Sequence, residues 1–392
     1  MSDILILAVA YVRHTAIRSA VLVTSLALIL AVPLATQTVL DAAESHFTER
    51  AETTPVIIGA RGSALDLIMN GLYFTADRPE RITMAEVERL WDEGLATPVP
   101  LHVRYTAGGQ PVVGTTLEYF ELRDLEVAAG RGLALLGEAV LGTSAAVRLD
   151  LRAGDVLLTD PENLFDIGGA YPLELSVVGV LAPTGTADDE AVFVDVTTAW
   201  VIEGIGHGHA NVVETDMVVG SSEGALVASR AVQQFNRITP ETIATFHFHG
   251  DRLEYPISSV IAVPPDARNA AVLRGRYIGR EDMRAVVPGV VIEALLETVF
   301  RIGRILDAVF AVVGVAASFA ILLALYLSIR MRETELRTAA RIGAARWRIA
   351  ALLGADAALI GLGALALALL AEAVVSARAD TLAVWLLTAR GL

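Results

Sequence analysis

The chain has 392 residues, of which 54% are hydrophobic, and its formal net charge is −15 at pH 7. Its mean hydropathy of +0.56 is too high for an ordinary soluble protein. The composition therefore predicts a membrane protein that is long enough to carry a folded domain as well. The absence of cysteine excludes disulfides, thiolate nucleophiles and cysteine-based metal sites, and the absence of lysine excludes a Walker A lysine and a Schiff-base lysine.

Three apolar runs are long enough to cross a membrane, which takes about 20 apolar residues in a helix. The first is predicted at 19–40, the second within 298–329 together with the end of a stalk, and the third at 349–375. An amphipathic stretch at 1–18 precedes the first run and predicts a helix at the membrane surface. A cleaved signal peptide is the alternative for the first run, although that run exceeds the usual h-region of about 7–15 residues.

The arginines predict the orientation, because basic residues near the ends of spans stay on the cytoplasmic side. Arg13 and Arg18 precede the first span, and six further arginines fill the segment 330–348 between the second and third spans. The N-terminus and 330–348 are therefore expected in the cytoplasm, and 41–297 on the other face. That segment has 18 Arg and 38 Asp plus Glu, a net charge of −20, which gives no indication of nucleic-acid binding.

The segment 41–297 changes to short β-type runs broken by turns, with helical stretches between them. The runs are "TPVIIGARGS", "QPVVGTTLEYF", "GDVLLTD", "LELSVVGVLAPTG", "EAVFVDV" and "YPISSVIAVPP", and a helix is predicted in "TMAEVERLWDEG". We therefore expect a large α+β extracytoplasmic domain attached to an α-helical transmembrane region. Its last part is predicted to become helical after Pro288 and to continue without a break into the second span.

The segment 330–348, "RMRETELRTAARIGAARWR", is typical of a short amphipathic helix at the membrane surface. Arg337, Arg341 and Arg348 are spaced for one helical face, and Glu333 precedes Arg337 in the favourable order for an i,i+4 ion pair. The alternative interpretation is a loop whose arginines only set the topology.

The order of residues in this segment resembles the permease subunits of MacB-like and FtsX-like ABC transporters, whose loop commonly reads "RRREIALLRALGAS". The matching positions are Arg332, Glu333, Glu335, Leu336, Arg341, Gly343 and Ala344. The start of the chain resembles the family's N-terminal helix and first span through Leu7, Tyr11, Arg18 and Ser19. The external stretches "VVGTTLEYFELRDLEVAAGRGL", "EAVLGTSAAVRLDLRAGDVLL" and "VVGVLAPTGTADDEAVFVD" resemble the MacB-type periplasmic core domain.

The resemblance implies a division of labour in a bacterial inner membrane. A separate ATPase subunit binds ATP and magnesium, and this chain, which is not itself an enzyme and holds no cofactor, converts the ATPase cycle into movement of its periplasmic domain. The residues expected to dock on the ATPase are Glu333, Glu335, Leu336, Arg337, Arg341, Ile342, Gly343 and Ala344. A homodimer, a periplasmic partner or adaptor, and a lipophilic, lipoprotein-like or metal-related cargo are also implied.

Two other functions stay open at this point. One is a non-transporting transmitter that activates a periplasmic partner, and the other is a membrane-anchored metal-binding domain. The resemblance departs from the family at the C-terminal tail, 376–392, because these permeases normally have four spans. The apolar part of the tail is about ten residues, which as a helix covers only about 15 Å.

Four of the seven histidines form two pairs, His207 with His209 in "IGHGHAN" and His247 with His249 in "TFHFHGD". In an extended strand residues i and i+2 share a face, so either pair offers two imidazoles to one Zn²⁺, with Asp251 or Glu254 as a third ligand. The competing interpretation, which we favour from the sequence, is exposed polar turns or strand edges.

Three acidic features have two interpretations each. The run "ADDE" at 187–190 is expected to be a solvated turn, with Ca²⁺ binding as the alternative. Asp307, near the outer end of the second span, is expected to contact water or Arg304. Asp356, in the third span, is expected either to make a helix–helix contact or to act on the ATPase side, since a charge in a span is costly.

Overall fold

The computed structural model describes residues 2–75, 78–161, 172–209, 218–222, 225–228, 235–331, 333–379 and 382. The chain divides into two compact units. We call Met1–Phe47 with Ala294–Leu392 the helical unit, and Thr48–Glu293 the sheet unit.

The α-helices of the described residues include three that are much longer than the others. In chain order they are α1 (Ser2–His14), α2 (Ala16–Glu52), α3 (Ala64–Tyr73), α4 (Ala85–Glu93), α5 (Leu117–Leu122), α6 (Thr143–Leu149), α7 (Val196–Ile202), α8 (Ala267–Tyr277), α9 (Pro288–Met331), α10 (Glu333–Arg341) and α11 (Arg346–Ser376). Short 3-10 helices occupy Ala187–Glu190, Ile243–Thr245 and Arg252–Glu254.

The β-strands among the described residues lie in the sheet unit. They are β1 (Val56–Ala60), β2 (Ile82–Thr83), β3 (Thr97–Ala107), β4 (Gln110–Thr115), β5 (Val127–Gly130), β6 (Glu138–Leu141), β7 (Val156–Leu158), β8 (Glu174–Leu181), β9 (Val192–Asp195), β10 (Gly206–Gly208), β11 (Val218–Ser222), β12 (Ala225–Ala228), β13 (Phe246–Phe248), β14 (Pro256–Ile257), β15 (Ser259–Val263) and β16 (Met283–Val286).

Within the residues that the structure describes, three helices, α2, α9 and α11, are long and apolar enough to cross a membrane by length and composition. This finding confirms the three candidate spans expected from the sequence. Helix α9 begins at Pro288, as the sequence predicts, because proline lacks the N–H that the first helical position leaves unpaired. The predicted domain boundaries within the chain stay a prediction.

Small residues bring α2 and α11 together inside the helical unit. Ala27 and Ala31 of α2 pack with Ala364 and Ala368 of α11, and these four residues form a buried cluster. Each pair is four residues apart, which puts both alanines on one helical face. Small residues four positions apart let two helix backbones approach closely. In a membrane the lipid is as apolar as the helix surface, so this close packing is what favours helix association.

The sheet unit is built on one ten-stranded sheet with the order β16-β1-β15-β3-β4-β9-β6-β8-β5, and β7 pairs with β8. Neighbouring strands are antiparallel except for β4 with β9 and β6 with β8. The strand runs seen in the sequence correspond to β1, β4, β7, β8, β9 and the β14–β15 segment, and α4 lies in the predicted helix. The end of the second run, "LEYF", is wrong as a strand, because it belongs to α5. The α+β fold class is therefore confirmed.

Aromatic side chains fill the core on the sheet faces. Trp200 of α7 is buried, meets Tyr255 edge-on at 5.0 Å between ring centroids, and donates its indole N–H to the Pro256 carbonyl at 2.8 Å. Tyr119 of α5 is also buried and lies 5.6 Å from the Phe193 ring of β9. The contact with Phe193 holds the Tyr119 ring in a position where its hydroxyl lies beside the end of α2.

Candidate functional site

The end of α2 is held in the sheet unit by a buried ion pair. The Arg50 guanidinium donates to both carboxylate oxygens of Asp188, with Nη1–Oδ2 at 2.6 Å and Nη2–Oδ1 at 2.9 Å. Nη2 also donates to the Tyr119 hydroxyl at 2.8 Å, Nη1 to the Thr186 hydroxyl at 3.2 Å, and Nε to the Leu72 carbonyl at 2.5 Å. These five contacts use all five N–H groups that a guanidinium has.

The electrostatics of this network favour the ionised carboxylate. Burial alone would raise the pKa of Asp188, but the Arg50 charge and the hydrogen bonds from Arg50 and Tyr119 lower it below its ordinary value. Burial raises the pKa of the Tyr119 phenol, so that group stays protonated and donates to Asp188 Oδ1 at 2.7 Å. A buried pair of this kind is strongly coupled, since losing either partner leaves a desolvated charge.

The structure corrects the expectation of a solvated turn at 187–190. Asp188 and Asp189 are buried, and Asp189 accepts hydrogen bonds from the backbone N–H groups of Thr184 at 2.9 Å and Gly185 at 2.8 Å. Gly142 packs against this turn so closely that a Cβ there would lie 2.2 Å from the Asp188 carbonyl oxygen. The carboxylates are therefore used for internal contacts, and sequence reasoning missed the site because the partner Arg50 lies far away in the chain.

The segment between α9 and α11 is divided rather than one helix. Arg330 and Met331 end α9, α10 covers Glu333–Arg341, and α11 begins at Arg346. Gly343 adopts φ +98°, a left-handed conformation that ends α10 and that glycine accepts at low cost. The expectation that Arg337, Arg341 and Arg348 share one helical face is therefore wrong, because Arg348 belongs to α11.

The surface of α10 keeps its charges outward. The predicted i,i+4 ion pair between Glu333 and Arg337 is confirmed, although the Arg337 side chain stays 71% exposed. Arg341 is exposed as well, Ile342 is 83% exposed, and Leu336 is half-buried. Ile342 and Gly343 form the turn that follows, and Ala344 comes directly after it. Arg332 and the side chain of Glu335 lie outside the described residues.

The two histidine pairs, expected as separate features, come together in one cluster. Strand β10 pairs with β13 so that His207 lies opposite His247. The ring centroid of His207 lies 4.7 Å from that of His247 and 5.0 Å from that of His249. The ring centroids of His209 and His247 are 5.1 Å apart. Burial and the neighbouring imidazoles lower the pKa of His207, which favours the neutral ring.

The acidic ligands expected beside the histidines are used elsewhere or stand apart. The Asp251 carboxylate accepts from the Leu253 backbone N–H at 2.9 Å and so caps a short 3-10 helix. The described residues that could jointly hold a metal ion are His207, His247 and His249, with ligand atoms within 4.8 Å of one another. The cluster therefore offers imidazoles without Asp251 or Glu254.

Polar contacts join the long helices within the helical unit. Arg18 of α2 donates to Asp356 of α11 at 3.4 Å, which is the helix–helix contact expected as one alternative for Asp356. Asp307 of α9 accepts from the Gln37 amide of α2 at 3.4 Å. Asp307 is exposed, so contact with water, one of its two expected partners, stays a prediction, and Gln37 rather than Arg304 is the partner that the structure gives it. Glu372 of α11 accepts from the hydroxyl of Thr38.

Comparison with known proteins places the chain in a family. The family model for the MacB-like periplasmic core domain matches residues 19–215, which is half of the chain. The chain belongs to the MacB-like periplasmic core domain family. The resemblance to MacB/FtsX-like ABC transporter permease subunits that the sequence suggested is thereby confirmed. No curated protein matches the sequence significantly.

Two solved structures are similar to this chain at low identity. The periplasmic region of MacB from Actinobacillus actinomycetemcomitans has 11% identity and a TM-score of 0.36, and the match covers 63% of this chain and 94% of that one. The extracellular domain of the noncanonic ABC-type transporter YknZ from Gram-positive bacteria has 13% identity and a TM-score of 0.33, covering 59% of this chain and 98% of that one.

Membership of this family gives the chain an ABC transporter permease-type role and implies an ABC ATPase as a partner. With its apolar helices, the chain is a membrane-embedded protein with an extracytoplasmic domain. In the predicted tail 376–392, residues 380–381 and 383–392 lie outside the described residues.

Proposed function

We propose that this chain couples ATP hydrolysis by a separate ATPase subunit to a conformational change of its periplasmic domain, and that this movement exports or extracts a lipophilic, lipoprotein-like or metal-related cargo. The chain works in the bacterial inner membrane with its N-terminus in the cytoplasm, as the distribution of arginines indicates. ATP and Mg²⁺ are bound by the partner. A homodimer of this chain is the expected assembly.

The observation that carries the proposal is the length of two continuous helices. At 1.5 Å per residue, the 37 residues of α2 extend about 55 Å and the 44 residues of α9 about 66 Å. A bilayer core is about 30 Å thick, so each helix is about twice as long as a span requires. Helix α9 has no proline beyond its first residue, whereas α2 contains Pro33, which weakens that helix at one point. A continuous helix transmits a tilt at one end to its other end, so α9 is the stiffer of the two.

The exposed surface of α10 supports its role as the ATPase contact. Arg337 and Arg341 present two positive charges, and Ile342 adds an exposed apolar side chain next to them. An acidic, partly apolar cleft on a partner would pair the guanidinium groups and cover the isoleucine. Because α10 connects α9 directly to α11, a displacement of α10 acts on two of the candidate spans.

The Arg50 network supports the other end of the mechanism. It holds the last turn of α2 inside the sheet unit through hydrogen bonds to α3, α5 and the turn at 187–190. A motion of α2 would therefore be passed to three separate elements of the sheet unit at once. The joint is buried, so water does not compete for its contacts.

The test is a purification of the full-length chain from its native membranes in mild detergent, with ATPase activity measured in the eluate. We compare the wild type with Arg337→Glu plus Arg341→Glu, and with a matched control, Arg268→Glu plus Arg274→Glu, on the exposed side of α8. The wild type and the control should retain equal ATPase activity. The α10 variant should lose at least about tenfold, because two charge pairs become repulsive.

Cross-linking identifies the contact directly, since the chain contains no cysteine. Arg341→Cys introduces a single thiol on α10, and a thiol-reactive photo-crosslinker should attach the ATPase there. The same reagent on Arg268→Cys should attach none. ATPase activity that is unchanged in the α10 variant, or no ATPase with the wild type, would contradict the proposal.

A further inference from the structure

The histidine cluster of the sheet unit has no part in the coupling mechanism proposed above. In the β10–β13 ribbon His207 lies opposite His247, and His209 and His249 come two residues later, each one residue beyond the end of its strand. Alternate residues of a strand share a face, so all four imidazoles lie on the same side of the ribbon. The five measured separations between ring centroids fall between 4.7 and 5.8 Å.

The other face of the ribbon explains why the histidines are gathered. Gly206 lies opposite Phe248 and Gly208 opposite Phe246, and each ring covers its glycine. A Cβ at Gly206 would lie 2.4 Å from the Phe248 ring, and one at Gly208 would lie 2.5 Å from the Phe246 ring. Both phenylalanines pack against the core of the sheet unit. The two phenylalanines hold the ribbon against this core, so the histidine side chains lie on the face turned away from it.

The geometry of three histidines suits a metal ion. Ligand nitrogens of His207, His247 and His249 all lie within 4.8 Å of one another. In a tetrahedral site with Zn–N bonds of about 2.0–2.1 Å, two ligand nitrogens are about 3.4 Å apart. Modest side-chain rotations would bring the rings to that spacing, and His249 is exposed and so has room to turn.

The orientation of His247 is already set by a second contact. Its Nδ1 lies 3.1 Å from the Thr245 carbonyl oxygen. A carbonyl can only accept, so Nδ1 is the donor in this contact, and in the neutral form of the ring Nε2 then carries the lone pair. This arrangement, with one ring nitrogen held by a backbone carbonyl and the other available, is typical of metal-binding histidines.

We propose that His207, His247 and His249 bind one divalent ion of the Zn²⁺ type, with His209 next to the remaining coordination position. Imidazole nitrogen suits zinc and its neighbours among the late first-row metals, whereas Mg²⁺ and Ca²⁺ require oxygen ligands. Three protein ligands leave a fourth position for water or for the imidazole of His209. The net charge of −20 over 41–297 attracts cations to this part of the chain.

Metal binding would join two distant parts of the sheet unit. Strand β10 follows α7 closely, whereas β13 comes after the long segment between 209 and 246. An ion held by both strands stabilises their pairing, and with it the folded chain, because the site exists only when the strands are paired. Zinc should therefore raise the unfolding temperature of the wild type.

The test uses the full-length chain in detergent, purified with an affinity tag that contains no histidine and then stripped with a chelator. Zinc is titrated in competition with a chromophoric chelator. We compare the wild type with His247→Gln plus His249→Gln, and with the control His14→Gln on α1. The wild type and the control should bind one zinc per chain, and the double variant should bind at least about tenfold more weakly. Equal binding by all three would overturn the proposal.

Two measurements separate loss of ligands from loss of fold. Without metal, the double variant should unfold at the wild-type temperature; if it does not, His249→Gln, which changes an exposed side chain, replaces it in the titration. Cobalt bound to the wild type should show the strong visible absorption of four-coordinate Co²⁺, and only the weak absorption of the aqua ion would contradict the site. None of these measurements involves an ATPase, so the proposed function stands or fails separately.

Discussion

The ion pairs Arg50–Asp188 and Arg337–Glu333 differ in how much of their side chains is exposed to solvent, and this difference decides how much each contributes to stability. The side chains of Arg50 and Asp188 are 4% and 2% exposed, whereas those of Arg337 and Glu333 are 71% and 43% exposed. Breaking a buried pair by removing one partner costs about 3–5 kcal/mol, while an exposed i,i+4 pair contributes about 0.3–0.5 kcal/mol. The first pair is a closed internal joint, and the second leaves its charges available to another protein.

The largest expected effect comes from opening the buried joint. Asp188→Ala leaves the Arg50 charge without its carboxylate in a desolvated site, so the free energy of unfolding should fall by about 3–5 kcal/mol. Urea unfolding of the full-length chain in detergent, followed by tryptophan fluorescence, measures it, with Trp200 as a buried reporter.

The matched control is Glu190→Ala in the same turn, which removes an exposed ion pair with Arg148. That change should cost no more than about 1 kcal/mol. If both variants lower the free energy of unfolding by similar amounts, the Arg50–Asp188 ion pair does not stabilise the chain more than an exposed pair does.

Lowering the pH should gradually weaken the Arg50–Asp188 ion pair. The pKa of Asp188 in the folded chain lies below the ordinary value of about 3.9, so its contribution to stability is fully present above that value. The contribution is lost as the pH falls through the folded-state pKa. The difference in unfolding temperature between wild type and Asp188→Asn should therefore be constant above about pH 5 and shrink below about pH 4. A difference that does not change on acidification would contradict this assignment.

A contact without charge should give an intermediate effect. Ala364 is buried between α11 and α2, and a leucine there would overpack the interface at a cost of about 1–3 kcal/mol. Ala366, two residues away, is exposed on the same helix, so Ala366→Leu should change little. Thermal unfolding in detergent micelles compares the two variants. Equal unfolding temperatures would show that α2 and α11 do not pack through these alanines.

The smallest effect on stability is expected at α10. Arg337→Glu plus Arg341→Glu alters exposed side chains, so the free energy of unfolding should change by no more than about 0.5 kcal/mol per residue. The same variant should lose the ATPase. Destabilisation comparable to that of Asp188→Ala would mean that α10 is part of the folded core rather than a docking surface.

Local pattern was enough to predict several elements. The run at 174–181 predicts a strand by itself, and in the structure it forms β8 with alternate residues buried. The proline at the start of α9 likewise predicts a helix start from one stretch of sequence. The long strand β3 was missed because Pro98 and Pro100 argue against a central strand. In the structure both prolines lie in the part of β3 that pairs with β15, beyond the part that pairs with β4.

Contacts between distant residues could not be predicted in the same way. The Arg50–Asp188 pair joins residues 138 positions apart, and neither neighbourhood shows that its charge will be buried. The histidine pairs were visible as alternating residues, but their union depends on the pairing of β10 with β13. The end of α10 depends on Gly343, whose left-handed φ the sequence permits but does not require.

Hydrogen–deuterium exchange on the purified complex with its ATPase tests the coupling claim most directly, because amide exchange reports local opening in each element. Exchange is compared with and without ATP turnover in the wild-type complex, and in Arg337→Glu plus Arg341→Glu mixed with an equal amount of the separately purified ATPase. ATP turnover should change exchange in the sheet unit of the wild type and leave that of the variant unchanged. Changes confined to the ATPase subunit, while ATP is hydrolysed, would contradict the proposed coupling.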